Sequence, residues 1–190
     1  MATPARDRIL DTAFGLFGTY GVRAVGVDTV IAASGVAKAT LYKHFRSKDD
    51  LVLAYLDRVD TIWRTALADA AAAAGPDPRD QLVGLFDALR SAARRHGYRG
   101  CPFINTAAEA PGTRVHARTA AHKATVQRWI GDLATRAGAP NPAGLATALT
   151  LVLDGGLAAG AVTADPAVAD AAKDAARTLV TAALPTRPAT

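Results

Sequence analysis

The sequence predicts an all-α protein, and three observations carry that expectation. First, proline follows a capping side chain at Thr3-Pro4, Asp77-Pro78, Asn141-Pro142 and Asp165-Pro166. Proline is tolerated at the first helical position, where its missing N–H would be unpaired anyway, and the preceding oxygen can accept from another amide. Second, glycine and Gly/Pro pairs punctuate the chain at Gly21, Gly35, Gly75-Pro76, Gly97, Pro111-Gly112 and Gly138-Ala139-Pro140, as helix ends require. Third, no stretch alternates with period two for long enough to be a strand.

Between these marks lie helices near 4–20, 27–34, 38–45, 48–74, 78–96, 102–110, 113–137, 142–162 and 166–183. Leu10, Ala13, Phe14 and Phe17 give the first an apolar stripe, at the spacing of one helix face. Leu51, Tyr55, Val59, Ile62 and Ala66 do the same in the fourth, which at 1.5 Å per residue is roughly 40 Å long and can connect two bodies. Ser47 followed by Asp50 reads as a variant capping box at its start. The last helix carries Val168, Ala172, Ala175, Leu179 and Ala183 inward, with Asp170, Lys173, Asp174 and Arg177 outside. Alanine fills about a quarter of the chain and favours helix throughout.

The chain has 190 residues, 50% hydrophobic and 21% charged, with a net charge of +5. That balance excludes disorder and allows a real core. One cysteine, Cys101, excludes an intramolecular disulfide framework, and with four histidines it leaves no Cys-based zinc site. His116 and His122 stand six apart, off the i, i+4 spacing of paired helical ligands. No phosphate-cradling glycine loop or nucleophile elbow occurs, so no catalytic residue, metal or cofactor is expected. The polar start from Met1 to Arg8 lacks the h-region of a signal peptide, and a cytoplasmic protein is expected.

The segment from Val27 to Lys48 is the most informative. A short helix with Val27, Val30, Ile31 and Ala33 stops at Ser34-Gly35, where glycine permits a left-handed turn into the next helix. Val36 can plug the angle. The second helix turns Ala37, Leu41 and Phe45 inward and presents Ala39, Thr40, Tyr42, Lys43 and Arg46 on the opposite face, with Lys38 and His44 on its flanks. From Lys38 to Lys48 there are four formal positive charges and no acid. This is the pattern of a helix-turn-helix, whose second helix enters the major groove of DNA. Lys43, Arg46 and Lys48 can neutralise phosphates, Thr40 and Tyr42 can donate hydroxyls to them, and Ala39 is small enough to meet a thymine methyl.

The region from Arg8 through Leu51 resembles the DNA-binding domain of the TetR family of bacterial transcriptional regulators. Ala13–Phe17, Gly21, Gly35-Val36, Thr40-Leu41-Tyr42, His44-Phe45 and Ser47-Lys48 carry the likeness, over about a quarter of the chain. The resemblance implies a three-helix N-terminal domain, a larger helical ligand-binding domain and a homodimer. By position, Lys38, Thr40, Tyr42, Lys43, His44 and Lys48 inherit DNA contacts. Gly26, Ala37 and Ala39 depart from the family's usual Ser/Thr, Ser and Gly, so its operators do not transfer. The expected domains are 1–47 for DNA, 48–184 for ligand and dimerisation, and a short tail at 185–190. The expected function is that of a DNA-binding regulator, a repressor released from a palindromic double-stranded operator by a small molecule. The alternative is a helical enzyme or binding protein without DNA function.

Beyond Gly75 the motifs thin out. Trp63, Phe86, Leu89, Tyr98, Phe103, Val126 and Trp129, with polar Asn105, His122 and Asp154, are the candidate lining of an apolar ligand pocket; packing in a plain core is the other reading. Arg90, Arg94, Arg95, His96 and Arg99 form a basic cluster that suits an acidic ligand or a helix C-terminus. Residues 143–162 have a membrane span's length, yet Asp154 sits centrally and no aromatic belt or basic flank occurs, so no membrane partner is expected. Leu151, Gly155, Gly156, Ala159, Gly160, Ala172 and Leu179 are instead the candidate dimer interface, where small residues let a partner helix approach.

Overall fold

The computed structural model describes residues 4–94, 98–110 and 112–186. Among them are ten helices and no strand: α1 (Ala5–Tyr20), α2 (Val27–Ser34), α3 (Lys38–His44), α4 (Lys48–Ala73), α5 (Pro78–Gly84), α6 (Asp87–Ala93), α7 (Pro102–Glu109), α8 (Thr113–Arg136), α9 (Pro142–Thr163) and α10 (Ala167–Ala183). The proline caps act as their chemistry requires. Asp77 Oδ1 accepts from the Arg79 N–H at 2.8 Å, Asn141 Oδ1 from Gly144 at 3.0 Å, and Asp165 Oδ1 from Ala167 at 2.8 Å. At α1 Pro4 itself holds the N-cap position; Thr3, Gly97 and Pro111 lie outside the described residues.

The single helix expected over 78–96 is two helices. The bonds tighten to i→i+3 between them, with Phe86 N–H on Val83 O at 3.3 Å and Leu89 N–H on Phe86 O at 3.0 Å. This turn buries the consecutive Leu85 and Phe86 completely, which an ideal helix, rotating 100° per residue, does not readily do. Gly84 precedes the turn because a Cβ there would collide with the Ala74 side chain.

Two compact units divide the chain, residues 1–61 with 102–120 and residues 62–101 with 121–190. The expected boundary at 47/48 therefore falls inside the first unit, because the first half of α4 packs with the N-terminal helices. In that unit Ile9, Ala13 and Phe17 of α1 are buried, so the stripe is centred on Ile9, and Leu10 and Phe14 are half-buried. Phe14 and Phe17 meet Tyr55 edge-on, with centroids 5.8 and 5.5 Å apart. Leu51, Tyr55 and Val59 of α4 are buried as expected.

In the second unit the α4 stripe continues through Trp63, Leu67 and Ala71, not the expected Ile62 and Ala66. Leu145, Leu149, Leu153 and Leu157 make a ridge along α9. Facing inward from α10 are Ala169, Ala172, Ala176 and Val180. Ala175, expected inside, is exposed. Of the described helices only α9 is long and apolar enough to cross a membrane, and a third of that window is buried within the protein.

Candidate nucleic-acid interface

The helix-turn-helix is built from the turn outward. Gly35 adopts φ 66° and ψ 24°, and its N–H closes α2 on Ile31 O at 3.1 Å. A side chain at that φ would be strained, so glycine is required. Val36 fills the angle, and Val30, Leu41 and Phe45 are buried beneath α2 and α3. Ala33 and Ala37, expected to contribute apolar surface inside, are exposed; each lies at the turn, where the backbone lifts away from the core.

Lys38, Ala39, Tyr42, Lys43, His44 and Arg46 are exposed, and Thr40 and Lys48 half-buried. All eight expected DNA residues therefore lie at the surface on α3 or just after it. Lys38 Nζ stands 3.4 Å from Asp28 Oδ1 of α2, both well exposed. Arg6 of α1 lies over the Phe45 ring at 5.4 Å, beside the same segment.

The start of α4 is pinned by one contact that sequence spacing revealed and by others that it did not. Ser47 Oγ accepts from the Asp50 N–H at 3.1 Å, as in the expected capping box. The Asp50 carboxylate also meets Arg114 of α8 at 2.9 Å. The Arg114 guanidinium holds this carboxyl below its ordinary value, with help from Ser47 and against desolvation. Glu109 of α7, the one glutamate in the chain, accepts from the Arg23 N–H just ahead of α2 at 3.1 Å. Arg118 bridges Asp57 at 2.7 Å and Asp60 at 3.0 Å. Burial opposes its charge, but the two carboxylates outweigh that, and its pKa is raised. No motif announces Arg114 or Glu109; the unusual singularity of Glu109 was the one available signal.

The expected pocket residues divide between the two units. Phe103, which is buried, and Asn105 belong to the first unit. In the second, Trp63, Phe86, Leu89, His122 and Val126 are buried, Tyr98 and Trp129 half-buried, and Asp154 is paired with Lys123. Leu89 and Tyr98 line a cleft of about 450 Å³ with Gly156 and Gly160. Of the basic cluster, Arg90, Arg94 and Arg99 are exposed; Arg95 and His96 lie outside the described residues. Cys101 is buried and free.

The expected dimer residues divide by face. Leu151 is 68% exposed, and Gly155 and Ala159 are exposed with it. Gly156, Gly160 and Ala172 point into their own subunit. A Cβ on Gly156 would lie 2.8 Å from Leu89 Cδ1 and 3.2 Å from the Ala172 side chain, and one on Gly160 would touch Tyr98. At Gly156 and Ala172 the small size serves packing within the chain, unlike the expected interface role, whereas Gly160 is half-buried with only ordinary contacts beside it. Leu179 is half-buried.

A profile of the family described as bacterial regulatory proteins, tetR family, matches residues 9–55. The chain is 32% identical over 95 residues to the HTH-type transcriptional repressor KstR2 of Mycobacterium tuberculosis, covering 48% of this chain and 45% of that protein. The matched part thus spans somewhat under half the length of that curated relative. Among solved structures, a TetR-family transcriptional regulator from Streptomyces coelicolor is similar with a TM-score of 0.87 at 32% identity, covering 94% of this chain and 89% of that one. A TetR transcriptional regulator from Chloroflexus aurantiacus is similar with a TM-score of 0.80 at 26% identity, covering 95% and 96% of the two chains.

Proposed function

The chain belongs to the TetR family of bacterial regulators, and on that premise we infer that it is a sequence-specific DNA-binding repressor, active as a homodimer and released from its operator by a small molecule. One observation carries the reading: an outward face on and after α3 that combines Lys38, Lys43, Arg46 and Lys48 with a small Ala39 and the hydroxyls of Thr40 and Tyr42. The cations neutralise phosphates and release counterions, which gives affinity without sequence preference. Ala39 and Lys38, at the start of α3, are placed to meet base edges, since the N-terminal residues of a recognition helix contact them. KstR2 is by its name a transcriptional repressor, and repression is carried over from it as part of this reading. Its site of action is the cytoplasm, and no catalytic step is required of it.

A single helix as short as α3 reads few base pairs, so two copies are needed to select a genomic site. The surface that suits their pairing is the outward side of α9 and α10. Leu151 and Val162 stand 68% and 86% exposed there, flanked by exposed Gly155, Ala159, Ala171, Ala175 and Ala182. Two such helices from each chain make a four-helix interface with small residues at close approach.

Titration of labelled duplexes from neighbouring intergenic DNA, at moderate salt, tests the reading. The expected result is one fragment bound far more tightly than the others, with binding weakened as salt rises. Equal binding to all fragments would refute sequence-specific recognition. No binding at all would favour the alternative of a helical protein without DNA function.

A further inference from the structure

We propose that the cleft among α6, α9 and α10 is the effector site, and that it takes a small amphiphile with one carboxylate and an apolar body. The proposal rests on the repressor reading for its consequence, not for the binding itself. The cleft holds about 450 Å³, within the range of small-molecule sites. Its wall is apolar: Leu89, Tyr98, Val168 and small residues of α9 and α10 line it. Gly160 keeps it open. A Cβ there would reach Tyr98 only at 3.8 Å and Val168 at 4.0 Å, so any longer side chain would project into the space. The Tyr98 hydroxyl donates to the Leu157 carbonyl at 2.8 Å, which fixes the ring as one side of the cleft.

The polar end consists of Arg90, Arg94, Asp165 and Asp170. Three of these are already engaged. Arg90 pairs with Asp170, and Asp165 Oδ1 accepts from the Ala167 N–H. Arg94 forms no ion pair among the described residues, so its guanidinium is the donor set left for a ligand. A planar fork of N–H groups matches a carboxylate with two parallel bonds. The balance of two arginines against two aspartates argues for a monoanion: Arg90 is taken up by Asp170, so a second negative charge on the ligand would find no further arginine and would face the Asp165 carboxylate. Gly156 and Gly160 sit beside Gly155 and Ala159 on α9, so a ligand that parts α6 from α9 also bears on the outward surface proposed for dimerisation.

Calorimetric titration of the full chain with octanoate, octanol and octylamine tests the site. Octanoate is expected to saturate by about 1 mM, octanol to bind at least about tenfold more weakly, as a lost charged hydrogen bond implies, and octylamine to give no saturable heat. Arg94→Ala should remove about tenfold from octanoate affinity and leave octanol unchanged. Gly160→Leu should abolish both; should it fail to fold, the Arg94→Ala comparison decides. No saturable octanoate binding, or octanoate binding unchanged in Arg94→Ala, would overturn the proposal. Duplex titration is run in parallel on the same protein. Sequence-selective DNA binding without octanoate binding sinks the effector site alone, whereas octanoate binding at the cleft without DNA binding sinks the repressor reading and leaves the site.

Discussion

The segment from Val27 to Lys48 and the pair α9–α10 are both marked by glycine and alanine in the sequence, yet they disclose their roles unequally. In the first, Gly35 has a positive φ that only glycine tolerates easily, and cations follow it at fixed offsets with no intervening acid. Chemistry and position coincide there. In the second, glycine and alanine mark close approach without saying to what. Gly155 and Gly156 are neighbours in sequence, but a Cβ on Gly155 meets nothing within 4 Å, whereas one on Gly156 meets Leu89 at 2.8 Å. A one-residue step turns a helix by 100°, enough to move a residue from the outer surface to the packed side.

The sharpest way to break this contrast is to place the same side chain at both glycines. Gly156→Arg forces a cation between α9, Leu89 and Ala172 and should destabilise the fold by about 3–5 kcal/mol, seen as a lost or much lowered thermal transition. Gly155→Arg should keep its helical content and become monomeric in light scattering. Its operator affinity should fall by about a hundredfold or more, since one half-site is lost. A Gly155→Arg variant that remains dimeric would move the interface off this face.

The DNA-reading side is tested by a smaller loss. The Lys43→Ala/Lys48→Ala variant should bind all duplexes more weakly by similar factors, and the salt dependence of binding should fall by about two in slope. An unchanged slope would remove both lysines from the phosphate contacts.

The all-α class, nearly all helix limits and the eight surface residues from Lys38 to Lys48 were legible because caps, stops and cations act within a few residues of where they stand. The rest depended on rotation or on distance along the chain. The α1 stripe is centred on Ile9 beside the expected Leu10, and Gly156 and Ala172 serve the interior. The break after Gly84 answers to Ala74, just past the end of α4. Arg114 and Glu109 reach their partners from 64 and 86 residues away, and no local periodicity encodes such pairs.

Arg114→Ala sharpens the role of those distant contacts with an effect smaller again. The Asp50 carboxyl should rise back toward its ordinary 3.8 in an NMR titration. A depressed folded-state pKa contributes stability that is present above the unfolded value and lost as pH falls through the folded one. The wild type should therefore lose more stability than the variant as pH drops below about 3.8, measured by denaturant melts. Equal acid sensitivity would show that the pair does not stabilise the start of α4. The smallest effect is expected from Asp28→Asn, which frees Lys38. Exposed pairs are worth about 0–1 kcal/mol, so duplex affinity should rise by no more than about fivefold. A fall would mean that Asp28 itself helps to position α3 on DNA.

Selection from a pool of random duplexes by the full chain tests DNA reading by a dimer most directly. An inverted repeat should be enriched, with half-sites centred about 10–10.5 base pairs apart or a small multiple of that, and Lys38→Ala with Ala39→Ser should change the preferred bases within each half-site. Enrichment of no sequence, or of a single unrepeated half-site unaltered by those substitutions, would contradict recognition through paired copies of α3.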